Sequence, residues 1–366
     1  MLVDINPKIL IWAREEAGMS LKQGADKLKI DIEDLLGWEN GEQLTFSSLE
    51  KIAHLYKRQT AIFFLESVPA KIKKPKSYRN LAVTGGNFSP EAMLAVRRTE
   101  RYLATARDLS SPDYWNNQYV WLKNFTGKPE NIEKEISMLR DYLEIEAGSS
   151  SVKKAEDLFR KLRNKFEEKL GIFVFQFPMP EKEFDGFSYA FEQFPYAIVV
   201  NNQSQPVKKI FTLFHELCHI LKHKPGACKN NYIESENVPV ELECNNFAGK
   251  FLVPTALLKA TNSVDEIFSF ASQFNISGEV YLRRLVEEKK ITKPVFFKLL
   301  DLVREKSNSL PRKNKKQDGG PSMVIQSKST RGKKFFETIA NAAIGGKISY
   351  STASDLLGLK VGNIRL

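Results

Sequence analysis

The stretch FTLFHELCHILKH, residues 211–223, narrows the choice of fold more than any other part of the chain. His215 and His219 stand four positions apart in an otherwise apolar run, so on a helix both imidazoles lie on one face. Two imidazoles offered to one point is a ligand spacing for zinc. Glu216, beside the first, is placed to take a proton from a water whose pKa zinc lowers to about 7. Glu216 then serves as general base and afterwards as proton donor to a leaving amine. The flanking FTLF and IL provide the buried surroundings that keep such a site partly dry. The competing reading is an accidental spacing of polar residues on a core helix.

A catalytic zinc site keeps three protein ligands and one open position. A third histidine ten residues after the first is excluded, because position 225 is proline. His223 falls near the end of the helix and reads as a C-terminal helix residue. The better candidate lies in VELECNNFAGKFLVP. If 239–252 is helical, Glu241, Cys244, Asn245, Ala248 and Leu252 share one face. Glu241 then completes a His2Glu set, or else simply supports the first turn of its helix. Asn245, one turn later, is placed to hold a ligand histidine. Glu243 points about 200° away from Glu241 and is expected in solvent. Cys218 and Cys244 read as small apolar residues packed between the two helices, and Cys228 as a loop residue.

Around this motif the periodicities describe an α+β chain in four parts. Residues 1–67 form an all-α unit with expected N-caps at Ser20, Asp31 and Ser47. Residues 68–150 hold a basic linker and a helical connector. Residues 151–306 form a domain in which IFVFQF, GFSYAF and YAIVVN supply a small sheet. Residues 307–366 hold a second basic linker and a short helical module. Gly171 is expected to stop the helix that precedes the sheet. No apolar run reaches the roughly 18 to 20 residues of a membrane span, and no secretory signal opens the chain. Three cysteines in 366 residues fit a reducing, cytoplasmic setting rather than a disulfide framework.

The net charge of +11 is unevenly spread. Residues 1–65 carry eight basic against ten acidic side chains, whereas 304–334 carry ten against two. Lys71, Lys73, Lys74 and Lys76 in one run, with Lys313, Lys315 and Lys316 in the other, are the candidate nucleic-acid contacts; solvated linkers are the bland alternative.

Three segments, GFSYAFEQFPYAIVVNN, KKIFTLFHELCHILKH and VELECNNFAGKFLVP, resemble the ImmA/IrrE family of cytosolic zinc peptidases, over roughly 171–290. The resemblance implies a zincin-like metallopeptidase fold, with His215, His219 and Glu241 as zinc ligands and Glu216 as the catalytic glutamate. It further implies a helix-turn-helix repressor as the protein substrate. Cys218 and Cys244 depart from the pattern, standing where Gly and Ala are usual. The N-terminal SLKQGADKLKIDIEDLLGWENGEQLTFSSLEKIAHLY is similar to the Xre-type helix-turn-helix, with Lys29 in place of the usual turn glycine. Its second helix presents Ile32, Glu33, Asp34, Leu36 and Gly37, a poor set for reading bases, so dimerisation or partner binding stands beside DNA binding. The tail GKISYSTASDLLGLKVGNIRL resembles a second small helix-turn-helix unit. Proteins combining these parts resemble products encoded beside PIN-type RNase toxins. The alternative function is therefore an antitoxin or transcriptional regulator with little peptidase turnover.

Overall fold

The computed structural model describes residues 1–69, 89–126, 131–146, 154–180, 185–190, 195–222, 237–309 and 322–364. Lys71, Lys73, Lys74, Lys76, Lys313, Lys315 and Lys316, together with His223 and Cys228, lie outside them. Two compact units are present: residues 1–101 with 178–184, and residues 102–177 with 185–366.

Unit 1 opens with α1 (Pro7–Glu16), α2 (Leu21–Leu28), α3 (Ile32–Glu39) and α4 (Phe46–Tyr56). A two-residue ladder pairs β1 (Leu2–Val3) with β2 (Leu44–Thr45), antiparallel. Ser20 caps α2 in a full capping box with Gln23, which satisfies two otherwise orphan N–H groups. The α4 cap differs from the sequence expectation. Thr45, not Ser47, accepts from the Ser48 N–H, because Thr45 is the extended residue at the strand exit and Ser47 already lies within the first turn. Asp31 occupies the N-cap position of α3 without a side-chain hydrogen bond. Lys29 closes α2 at φ 58°, a left-handed position where glycine would be less strained.

The core of unit 1 gathers Ile9, Leu10, Trp12, Leu49, Ile52, Tyr56 and Phe63. Beside it, Arg14 forms a forked pair with Glu39, Nε to Oε1 at 2.7 Å and Nη2 to Oε2 at 2.9 Å, tying α1 to α3. The outer side of α3 exposes Ile32 and Leu36 next to Glu33 and Asp34. The first turns of α5 (Pro90–Asp108) also belong to this unit.

Unit 2 continues through α6 (Pro112–Gln118), α7 (Ile132–Leu143) and α8 (Ala155–Lys169). As expected, the chain leaves α8 through Gly171, at φ 72°. The three aromatic and β-branched runs are β3 (Phe173–Phe177), β4 (Gly186–Tyr189) and β5 (Ala197–Asn201), in the order β3-β5-β4. β5 is parallel to β3 (Phe173↔Ala197) and antiparallel to β4 (Gly186↔Val200). All three strands are buried throughout, which accounts for their continuous rather than alternating hydrophobicity.

Beyond the sheet lie α9 (Pro206–Lys222) and α10 (Asn237–Leu252). These are followed by α11 (Val264–Gln273), α12 (Gly278–Glu287), α13 (Lys293–Ser309), α14 (Met323–Arg331), α15 (Lys333–Ile344) and α16 (Tyr350–Leu357). Ser349 caps α16 and Gly358 ends it; a 3-10 turn, Val361–Asn363, follows. The C-terminal helices are part of the sheet's packing. Phe335 of α15 meets Phe173 and Phe175 edge-on, and Gln176 donates to Ser329 O at 2.9 Å. Gly332, at φ 84°, lets α15 start against α8. A Cβ there would lie 1.9 Å from Glu167 Oε1, the carboxylate whose Oε2 accepts from the Lys334 N–H. The basic residues of this segment have intramolecular partners: Arg331 with Tyr102 Oη, Lys333 with Glu168 and Lys334 with Gln118.

Candidate metal centre

Helix α9 is apolar nearly all round, so it is a core helix. From Thr212 to Leu221 every residue is buried. Its close approach to the sheet depends on Gly186. A Cβ at that position would come within 2.5 Å of both Thr212 Cγ2 and Val199 O. Against α10 it is held by Phe214, whose ring stacks on Phe251 at 4.0 Å between centroids. Cys218 and Cys244 are free and buried at the residues flanking the site, the small apolar role expected for them.

The far end of α10 is fastened by two arginines. Arg140 of α7 donates to Lys250 O at 2.7 Å and from Nε to Phe251 O at 3.1 Å, with its guanidinium 5.2 Å from the Phe251 ring centroid. Arg284 of α12 donates to Val253 O, to Thr255 Oγ1 and to the carboxylates of Glu287 and Glu288. Both cations meet carbonyls that a helix C-terminus leaves unpaired, and both oppose its negative dipole end.

These supports bring three side chains to one point. His215 Nε2 lies 3.2 Å from Glu241 Oε2, His219 Nε2 lies 3.2 Å from Glu241 Oε1, and the two Nε2 atoms are 3.2 Å apart. Ligands at about 2.0–2.1 Å in a tetrahedral shell are separated by about 3.3–3.4 Å; the two Nε2 atoms have close to that spacing, and the carboxylate presents one oxygen to each of them. Two neutral imidazoles and a carboxylate are also the donor set such an ion takes. His215 and His219 are almost fully enclosed while Glu241 retains 20% of its side-chain exposure, so the site opens on the carboxylate side. Burial pushes the Glu241 carboxyl up, but hydrogen bonding and charge from His215 and His219 hold it well below the usual carboxylate range. An ionised carboxylate is the form a metal requires.

Each candidate in this domain has a definite place. Glu216 is buried, at 3% exposure, on the helix that carries both histidines. Asn245 is half-buried one turn beyond Glu241. Glu243 stands apart from the triad and pairs with Lys222. Sequence reasoning missed Gly186, Arg140 and Arg284. A glycine at the head of an aromatic strand is a detectable sign of close backbone approach. No local signal links Arg140 to a carbonyl 111 positions away.

Residues 167–286 match the model of peptidase family M78, described as the IrrE N-terminal-like domain. The match runs from the end of α8 to α12 and contains all three converging residues. Searches of curated proteins and of solved structures gave no match. The matched segment is a peptidase-family domain, and that family is one of metallopeptidases.

Proposed function

We propose that the protein is a cytosolic zinc endopeptidase that cleaves a regulatory protein, with a helix-turn-helix repressor as the substrate class. The observation carrying this reading is the convergence of His215 Nε2, His219 Nε2 and the Glu241 carboxylate, each nitrogen 3.2 Å from the other and from one carboxylate oxygen, inside a segment matching a peptidase family. His215, His219 and Glu241 would hold the zinc ion. When bound, zinc supplies a Lewis acid that makes hydroxide available near neutral pH. Glu216 takes the proton of the attacking water and delivers it to the departing amine nitrogen. Its buried position limits competition from bulk solvent for that proton. Asn245 orients a ligand histidine from the neighbouring turn.

The test is to incubate the purified protein with the proteins encoded beside it, with and without chelator, and to follow cleavage by mass spectrometry. Chelator-sensitive cleavage lost in Glu216→Gln, with one zinc per chain retained, supports the reading. A Glu216→Gln variant that keeps both zinc and the full biological role refutes it.

One observation favours a second role for unit 1. If α2 and α3 form an Xre-type helix-turn-helix, its reading helix displays Ile32 and Leu36 on either side of Glu33 and Asp34. Carboxylates repel phosphates while exposed apolar side chains suit protein surfaces. In this reading unit 1 grips a partner, such as a PIN-type toxin, or a second copy of itself. DNA contact would then rest on the lysine runs. Mass photometry with the candidate toxin, set against a gel-shift assay with upstream DNA, separates these partners.

A further inference from the structure

We infer that Phe211 forms the apolar wall of the subsite beside the metal centre, so that the substrate residue flanking the scissile bond is aliphatic or aromatic. The inference rests on the peptidase reading above and adds to it a preference among side chains. Along α9 the buried run from Lys209 to Leu221 is broken once, at Phe211. A large aromatic ring is thus left half-buried on a helix that is otherwise core.

Phe211, His215 and His219 stand at i, i+4 and i+8, so they share one stripe of the helix. The Phe211 ring lies 6.3 Å from the His215 ring between centroids, tilted by 30°. Both histidine side chains are enclosed, with 1% and 3% exposure. Of the three side chains on the stripe, the phenyl ring is therefore the one that offers surface to an incoming chain. A peptide carbonyl brought to the point where His215, His219 and Glu241 converge has its neighbouring side chain within reach of that ring, one helical turn away. An aliphatic or aromatic side chain set there takes its own apolar surface and that of Phe211 out of water. A carboxylate in the same place meets the negative face of the π-system, so the ring also discriminates against acidic residues.

Isothermal titration of the zinc-loaded full chain with acetohydroxamate and 3-phenylpropanohydroxamate tests the assignment, because the two probes carry a methyl or a phenyl group behind the same metal-binding head. The phenyl probe is expected to bind at least about tenfold tighter. Phe211→Ala should cut that ratio at least about fivefold, and Phe211→Gln, which keeps most of the bulk but not the apolar face, should do the same even if Phe211→Ala proves unstable. Phe211→Leu should keep most of it, as a purely structural role for the ring would not require. Equal affinity for the two probes in the wild type, or a ratio that both Phe211→Ala and Phe211→Gln leave intact, overturns the inference. A wild type that retains no zinc overturns the metal reading instead, and its metal content shows this before any probe is added.

Discussion

The two units each bury a cluster of ionisable groups, and the clusters are built on opposite logic. In unit 2, two imidazoles and a carboxylate converge on a common point. In unit 1, Arg14, Arg58 and Arg97 lie among Glu16, Glu39 and Glu100, and the buried side-chain atoms without a partner among the described residues are mostly donors. Imidazoles and a carboxylate are groups that a divalent cation takes as ligands. Guanidinium groups stay charged, so those of unit 1 depend on the carboxylates already present. The same burial therefore gathers potential ligands in one unit and sets up a standing dependence in the other.

That contrast is breakable. The largest effect is expected in unit 1. Glu39→Ala leaves the Arg14 guanidinium without its forked partner and should destabilise the unit by about 3–5 kcal/mol in denaturant unfolding. A loss below about 1 kcal/mol would show that Arg14 does not depend on Glu39. Next comes the metal. Zinc at 100 times its dissociation constant should stabilise the wild type by about 2.7 kcal/mol over chelator-treated protein, and Glu241→Ala should remove that increment. An undiminished zinc effect in the variant would place the ion elsewhere. Gly186→Ala forces Thr212 and the Val199 carbonyl away from a new methyl group and should cost about 1–3 kcal/mol, read as a shift in thermal midpoint. The smallest effect tests a partly exposed ion cluster. Burial raises the Glu279 carboxyl, but hydrogen bonds from Arg304 and Arg283 bring it below its ordinary value near 4.5. A depressed carboxyl contributes stability above that ordinary value and loses it as pH falls toward the folded value. A double-mutant cycle on Glu279 and Arg304 should give at most about 0.5 kcal/mol at pH 7 and nothing at low pH.

Legibility followed how locally each feature is encoded. The α9 motif is written within five residues, and burial of every residue from Thr212 to Leu221 leaves it no alternative setting. The three strands were legible because aromatic and β-branched runs lay between breaker residues. Glu241 was reachable by helical phase alone, although its partners sit on another helix. The α4 cap was assigned to Ser47 because two adjacent serines compete in sequence, and only the extended backbone at Thr45 decides between them. The contacts of Phe335 and Ser329 with β3 were not legible, since nothing in the tail names its partner strand.

The arginines that fasten α10 bear on how portable the peptidase segment is. Arg284 travels with residues 167–286, but Arg140 lies 27 positions upstream of them, and Phe335 and Ser329 lie well downstream. A fragment trimmed to the matched borders would keep all three metal-facing side chains while losing one tether on the helix that carries Glu241. It would also uncover one edge of its own sheet. Such an excised piece should sample looser spacings at the triangle than the intact chain does, so the recognisable domain and the smallest self-sufficient one are different lengths of polypeptide.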